Sequence, residues 1–160
     1  MEIKEARKMV RKSVNTPKYR PNRWKHAINA GCYPYAIDLF QDEFFLVGDL
    51  IGKRCDSKVS DEKLISTLKE ELKEIGYDVL EIEDTDEKIN SDEFKIYLQR
   101  EQNTGYYHFL RQDEDGIWSH KFPDELPTRK DSLGNEITDP DMMVESSFYG
   151  WCFRLKKKAS

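Results

Sequence analysis

The chain has 160 residues, a length that fits one domain and leaves little room for two. Charged residues make up 36% and hydrophobic ones 38%, a polar balance, yet 8 Phe, 8 Tyr and 3 Trp argue against a disordered chain. The net charge of −5 excludes an overall basic coat for nucleic acid, though not a local basic patch.

No apolar run approaches the length of a membrane span, so no membrane partner is expected. The N-terminal stretch MEIKEARKMVRKSVN lacks the apolar region of a secretory signal. Cys32, Cys55 and Cys152 include no C-x-x-C pair, a sparse and odd count that points to free thiols in the cytoplasm. Export by a route without a cleaved signal would leave no mark in such a sequence.

Residues 2–15 are predicted as an amphipathic helix with Ile3, Ala6, Val10 and Val14 on one face. Nine Lys and Arg between Met1 and Lys25 outweigh Glu2 and Glu5, giving +7 over a face that is either solvated or meets an anion. Pro17 and Pro21 then turn the chain into a loop. A second helix is predicted over 32–40. Pro34 is tolerated only in a first turn, which puts Cys32 at or just before the helix start. FFLV, 44–47, reads as a strand or loop running into a turn.

The clearest helix spans 60–75. Ser60 is its N-cap, Asp61 and Glu62 suit the positive end, and Gly76 stops it. Leu64, Ile65, Leu68, Leu72 and Ile75 form its core stripe. The span 61–94 carries 13 acidic residues against four lysines, a net −9 that is either a solvated face or a surface for a basic protein partner. The period then changes to two, predicting strands at 77–83, 93–100, 105–112, 116–121 and 147–155. Cys152 falls on the last of these and is expected to be buried and inert. DEDG, 113–116, is the expected hairpin turn. The loop 122–140 is long enough to be functional. Helices first and antiparallel strands later give an α+β domain over 1–160.

Several chemistries can be weighed on spacing. GDLIGKR, 48–54, has three residues between its glycines and Arg54 after the lysine, whereas a phosphate loop needs four and a Ser or Thr. No short ligand pair joins His26, His108, His120 and the cysteines into a zinc site, and no cofactor is expected. Cys32 is more telling. A thiol at a helix start faces unpaired N–H groups that favour the thiolate and could also hold an oxyanion. It still needs a base, normally a histidine oriented by a third polar group. His108 and His120 lie on the two strands of the hairpin. A four-residue turn would set His108 opposite Lys121, and a one-residue bulge would set it opposite His120.

The stretch YHFLRQDEDGIWSHKFPDELPTRKDSLGNEITDP, 107–140, resembles a segment of a group of bacterial papain-like cysteine peptidase domains. That group pairs a Tyr-His-x-x-Arg-Gln strand with an Asp-Gly-x-Trp-Ser-His-Lys strand, followed by an Asp-x-x-Gly-x-x-Ile-x-Asp-Pro loop. Its upstream Asn-Cys-Tyr-Ala-Tyr-Ala motif is similar to Gly31–Cys32–Tyr33–Pro34–Tyr35–Ala36, with Gly31 in place of Asn and Pro34 in place of Ala. The order of Cys on a helix, His on a strand and a polar residue on the next strand matches the cell-wall endopeptidase type.

The resemblance implies a papain-like α+β fold with Cys32 as nucleophile and His108 as base. His120, or Asp131 or another loop carboxylate, would be the third member. The substrate would be a peptide or another amide or thioester compound, and a phage-derived or toxin-associated effector would suit a chain without a signal. The alternative is an inactive binding or inhibitory protein of the same fold that acts through its acidic face. A third reading, a nucleic-acid binder acting through the basic residues of 4–25, has no base-reading motif behind it.

Overall fold

A computed structural model describes residues 1–143 and 147–159. Among the described residues, five antiparallel strands form one sheet. They are β1 (Tyr77–Ile82), β2 (Glu93–Glu101), β3 (Tyr107–Gln112), β4 (Trp118–Ser119) and β5 (Phe148–Lys157), in the order β1-β5-β2-β3-β4. The α-helices among the described residues precede them: α1 (Ile3–Lys12), α2 (Cys32–Ala36) and α3 (Asp61–Ile75). The α+β expectation agrees with this arrangement. No helix among the described residues is long and apolar enough to cross a membrane.

β2 is the central strand and is buried along nearly its whole length. Its alternating side chains feed two cores. Phe94, Ile96 and Leu98 join Phe109, Phe153 and Leu155 beneath the helices, with Ala6 and Val10 of α1 and Leu64, Leu68, Leu72 and Ile75 of α3. On the other face Tyr97, Leu110, Trp118 and Cys152 pack with Ile82 and Ile137. Cys152 is buried, as its strand position predicts.

Helix α3 follows its signals closely. Ser60 accepts from the Lys63 N–H, and Gly76 ends the helix at φ +112°. Only Ile65 of the expected stripe stays partly exposed. Helix α1 is shorter than predicted and stops at Lys12. Ser13 turns to an extended conformation and its hydroxyl donates to the Val10 carbonyl, a local bond that competes with the helix. Val14 therefore lies outside the helix and is 56% exposed, not on the core face.

Helix α2 also ends early, at Ala36 instead of residue 40. Asp38 takes the left-handed position at φ +58°, its N–H bonds the Tyr35 carbonyl, and the Leu39 N–H bonds that of Pro34. This is the Schellman closure with Asp in the usual glycine place. The segment 44–47 forms no strand, and β4 keeps only two residues of the predicted 116–121.

Candidate active site

The site assembles where α2 docks on β3. Arg111, fully buried on β3, is the main fastener. Its guanidinium lies 4.0 Å over the Tyr35 ring and donates to the carbonyls of Tyr35 and Lys18 and to the carboxylates of Asp113 and Asp38. The Tyr35 hydroxyl is 2.6 Å from Ser119 Oγ, which joins α2 to β4. Tyr33 donates to the buried carboxylate of Glu71 at 2.6 Å, and the N–H groups of Gly48 and Leu50 donate to the same group. Tyr107 holds the loop 47–55 through the Val47 N–H and the Cys55 carbonyl. Short polar contacts of this kind fix a five-residue helix that could not stand alone.

These contacts put Cys32 beside β3. The thiol is half-buried, and the backbone N–H groups of Phe109, Cys32 and Tyr33 favour its thiolate, as does the charge of Lys121. Burial outweighs them and pushes the thiol up to about 11. The resting thiol is therefore protonated, contrary to what its place at a helix start alone suggests. Gly31, the N-cap, has an ordinary extended backbone. A Cβ there would meet the Phe44 ring at 2.9 Å, a close approach that the exposed ring could relieve by shifting.

His108 and His120 do meet, though not in either register expected for the hairpin. Arg111 pairs with Ser119 and Gln112 with Trp118, so the turn takes five residues, 113–117. The two histidines are diagonal neighbours on one face, a separation that aromatic side chains span. Nε2 of His108 lies 2.8 Å from Nδ1 of His120, and Nε2 of His120 lies 2.9 Å from the Lys130 carbonyl. A carbonyl only accepts, so Nε2 of His120 carries hydrogen and its Nδ1 accepts from Nε2–H of His108. The lone pair of His108 is thereby set at Nδ1, which has no hydrogen-bond partner among the described residues.

Phe122 stacks on the His108 ring at 4.6 Å and 9°. Burial, and then the neighbouring His120, push His108 down to about 3. Burial also lowers His120, against the Lys130 carbonyl. Asp131 is the turn-former of its own loop, where its carboxylate accepts from the N–H groups of Leu133 and Asn135. It makes no hydrogen bond to His120.

Of the three expected site residues, the structure joins His108 to His120 directly and brings Cys32 to the backbone of Phe109, the next residue after His108. No hydrogen bond links Cys32 Sγ to a His108 ring nitrogen among the described residues. His26 is exposed on the 3-10 turn Pro21–Ala27, and no group of three or more His, Cys, Asp or Glu suited to a metal occurs among the described residues. Spacing alone gives Lys121 no role at the site, although it adjoins His120 in the Ser-His-Lys run. It is fully buried and donates to the Ile28 carbonyl at 2.6 Å and to that of Ala30, in the loop that leads to Cys32.

The charged runs divide. Lys8, Lys12, Arg20 and Arg23 rim an open cleft of about 730 Å³ between α1 and the 3-10 turn. In the acidic span, Glu71 and Glu93 are buried and serve internal bonds, Glu93 with Arg154. Comparison with protein-family models, with curated proteins and with solved structures finds no match to this chain.

Proposed function

We propose that the chain is a papain-like cysteine hydrolase in which Cys32 attacks the carbonyl of an amide or thioester and His108 serves as general base and acid. One observation carries the reading: the hydrogen-bond chain from the Lys130 carbonyl through His120 to His108 leaves Nδ1 as the only proton-accepting atom of the base. The chain does for His108 what a carboxylate or amide does in a thiol triad, which is to fix tautomer and ring orientation.

The step runs from a neutral pair. Sγ of Cys32 bonds to the substrate carbonyl carbon while its proton passes to Nδ1 of His108. The tetrahedral oxyanion faces the N–H groups of Cys32 and Tyr33; Pro34 offers none. The C–N or C–S bond then breaks and Nδ1 returns the proton to the leaving amine or thiol. Water attacks the acyl-thioester with His108 again accepting the proton, which releases the acid and restores the thiol. The raised thiol and lowered histidine make the neutral pair the resting state, so the proton is assigned to move only as attack proceeds. Three free thiols accord with a reducing compartment.

The inactive-protein alternative draws on the same protonated thiol, but its acidic face is weakened by the inward use of Glu71 and Glu93. Intact-mass analysis after mixing with a small acyl thioester separates the two. The hydrolase reading expects a transient acyl adduct on Cys32 that is absent in Cys32→Ala. A wild-type chain that never acylates supports the alternative.

A further inference from the structure

Lys121 has a burial that its place two residues beyond β4 does not require. Its side chain is fully enclosed, and its three N–H donors meet three carbonyls: Ile28 at 2.6 Å, Phe122 at 3.3 Å, and Ala30. A buried ammonium is tolerated only when its donors are all used. Two of the acceptors belong to 28–30, the segment that enters α2, so the ammonium draws that segment onto the end of β4. The other side of the segment is held by Asp42, whose carboxylate accepts from the Asn29 N–H and Nδ2 at 3.0 and 3.2 Å. Asp124 anchors it once more through its own N–H to the Ile28 carbonyl.

We infer that Lys121 is the positioning residue of the candidate site: its ammonium clamps the 28–30 carbonyls, sets where Cys32 enters α2, and supplies the positive charge that steadies the thiolate formed during attack. The inference rests on the hydrolase reading for its purpose, but not for its test. Lys121 and Tyr107 are the ionisable groups whose charges couple to the thiol, and Asp124, Asp42 and Glu125 are the acids whose charges couple to Lys121. No other cation acts on Cys32 among these groups. Lysine suits the place because it is a compact point charge with three rotatable donors; the planar five-donor fork of arginine does not match three converging carbonyls.

The test is the rate of Cys32 alkylation by iodoacetamide at pH 8, read by peptide mass spectrometry. Only the thiolate reacts, so the rate follows the thiolate fraction. In Lys121→Met of wild-type circular dichroism, Cys32 is expected to react about tenfold more slowly, the change that one unit of thiol pKa produces. Lys121→Arg is expected to recover part of that loss. An unchanged rate in folded Lys121→Met overturns the inference. If Lys121→Met does not fold, Asp124→Asn, at an exposed position, is read in its place. It relieves the acid opposing Lys121 and is expected to quicken alkylation, and an unchanged rate there overturns the inference equally. Acyl transfer by His108→Ala tests the hydrolase reading separately, so either idea can fail alone.

Discussion

Nε2 of His108 stands 2.8 Å from Nδ1 of His120 although the strand register makes the two residues diagonal neighbours. The bond exists because β4 ends at Ser119, where His120 leaves the ladder and bridges to Thr128. Its ring is then free to turn toward β3, and the Lys130 carbonyl fixes its other nitrogen. Burial lowers the proton affinity of both rings in the folded chain, which gives the site a pH signature.

A histidine whose folded pKa lies below its unfolded value near 6.5 stabilises the fold above that value. As pH falls from 6.5 toward about 3, the unfolded chain binds the proton and the folded one does not, so stability is lost. Urea unfolding at pH 7, 6 and 5 is expected to show a falling midpoint, at most about 1.4 kcal/mol per pH unit for each histidine. His108→Gln is expected to flatten this slope. An equally steep slope in that variant would mean that other groups cause it.

Arg111 is expected to be the costliest side chain to remove. Arg111→Met leaves Asp113 and Asp38 buried without their main cation and takes the lid from Tyr35. Losing one partner of such a cluster costs about 3–5 kcal/mol. Arg111→Lys is expected to recover little, since it cannot fork to two carboxylates and two carbonyls. Chemical denaturation of both variants checks this, and a loss below about 1 kcal/mol would contradict it.

Gly31 and Phe44 should be coupled. A methyl group at Gly31 meets Phe44 Cδ2 at 2.9 Å and Cε2 at 3.0 Å, and that ring is half exposed and able to move. Gly31→Ala is expected to fold and to cost about 1 kcal/mol. The same change in a Phe44→Ala background should cost close to nothing. Equal costs in both backgrounds would place the strain elsewhere.

The cysteines should separate by access. Cys55 and Cys152 are buried, and burial pushes the Cys152 thiol up to about 12, whereas Cys32 is half-buried. Native-state alkylation is expected to modify Cys32 first, with the other two reacting only in denaturant. Early labelling of Cys152 would show that β5 opens locally.

What could be read from the sequence was what short-range chemistry decides. The caps and stripe of α3, the place of Cys32 against Pro34, and the change to a two-residue period at Tyr77 are all local patterns. The hairpin loop was one residue longer than expected because DEDG closes with Ile117 included, the Asp113 N–H reaching the Ile117 carbonyl. α2 ended early because Asp38 accepted a left-handed backbone beside Arg111, a residue 73 positions away in sequence. The protonation of Cys32 and the clamp by Lys121 were not legible for the same reason. Both depend on which distant carbonyls and rings enclose the group, and a residue pattern does not carry that information.

In the proposed mechanism His108 takes the proton of Cys32 during acyl transfer. The most direct measurement of this step is the acylation rate of Cys32 by p-nitrophenyl acetate at pH 7, compared between wild type, His108→Ala and His120→Ala. A positioned general base contributes about 10² or more. His108→Ala is expected to slow acylation by about that factor, and His120→Ala to slow it less while restoring a histidine that titrates closer to 6.5. Acylation of Cys32 at the wild-type rate in His108→Ala would rule out His108 as the base.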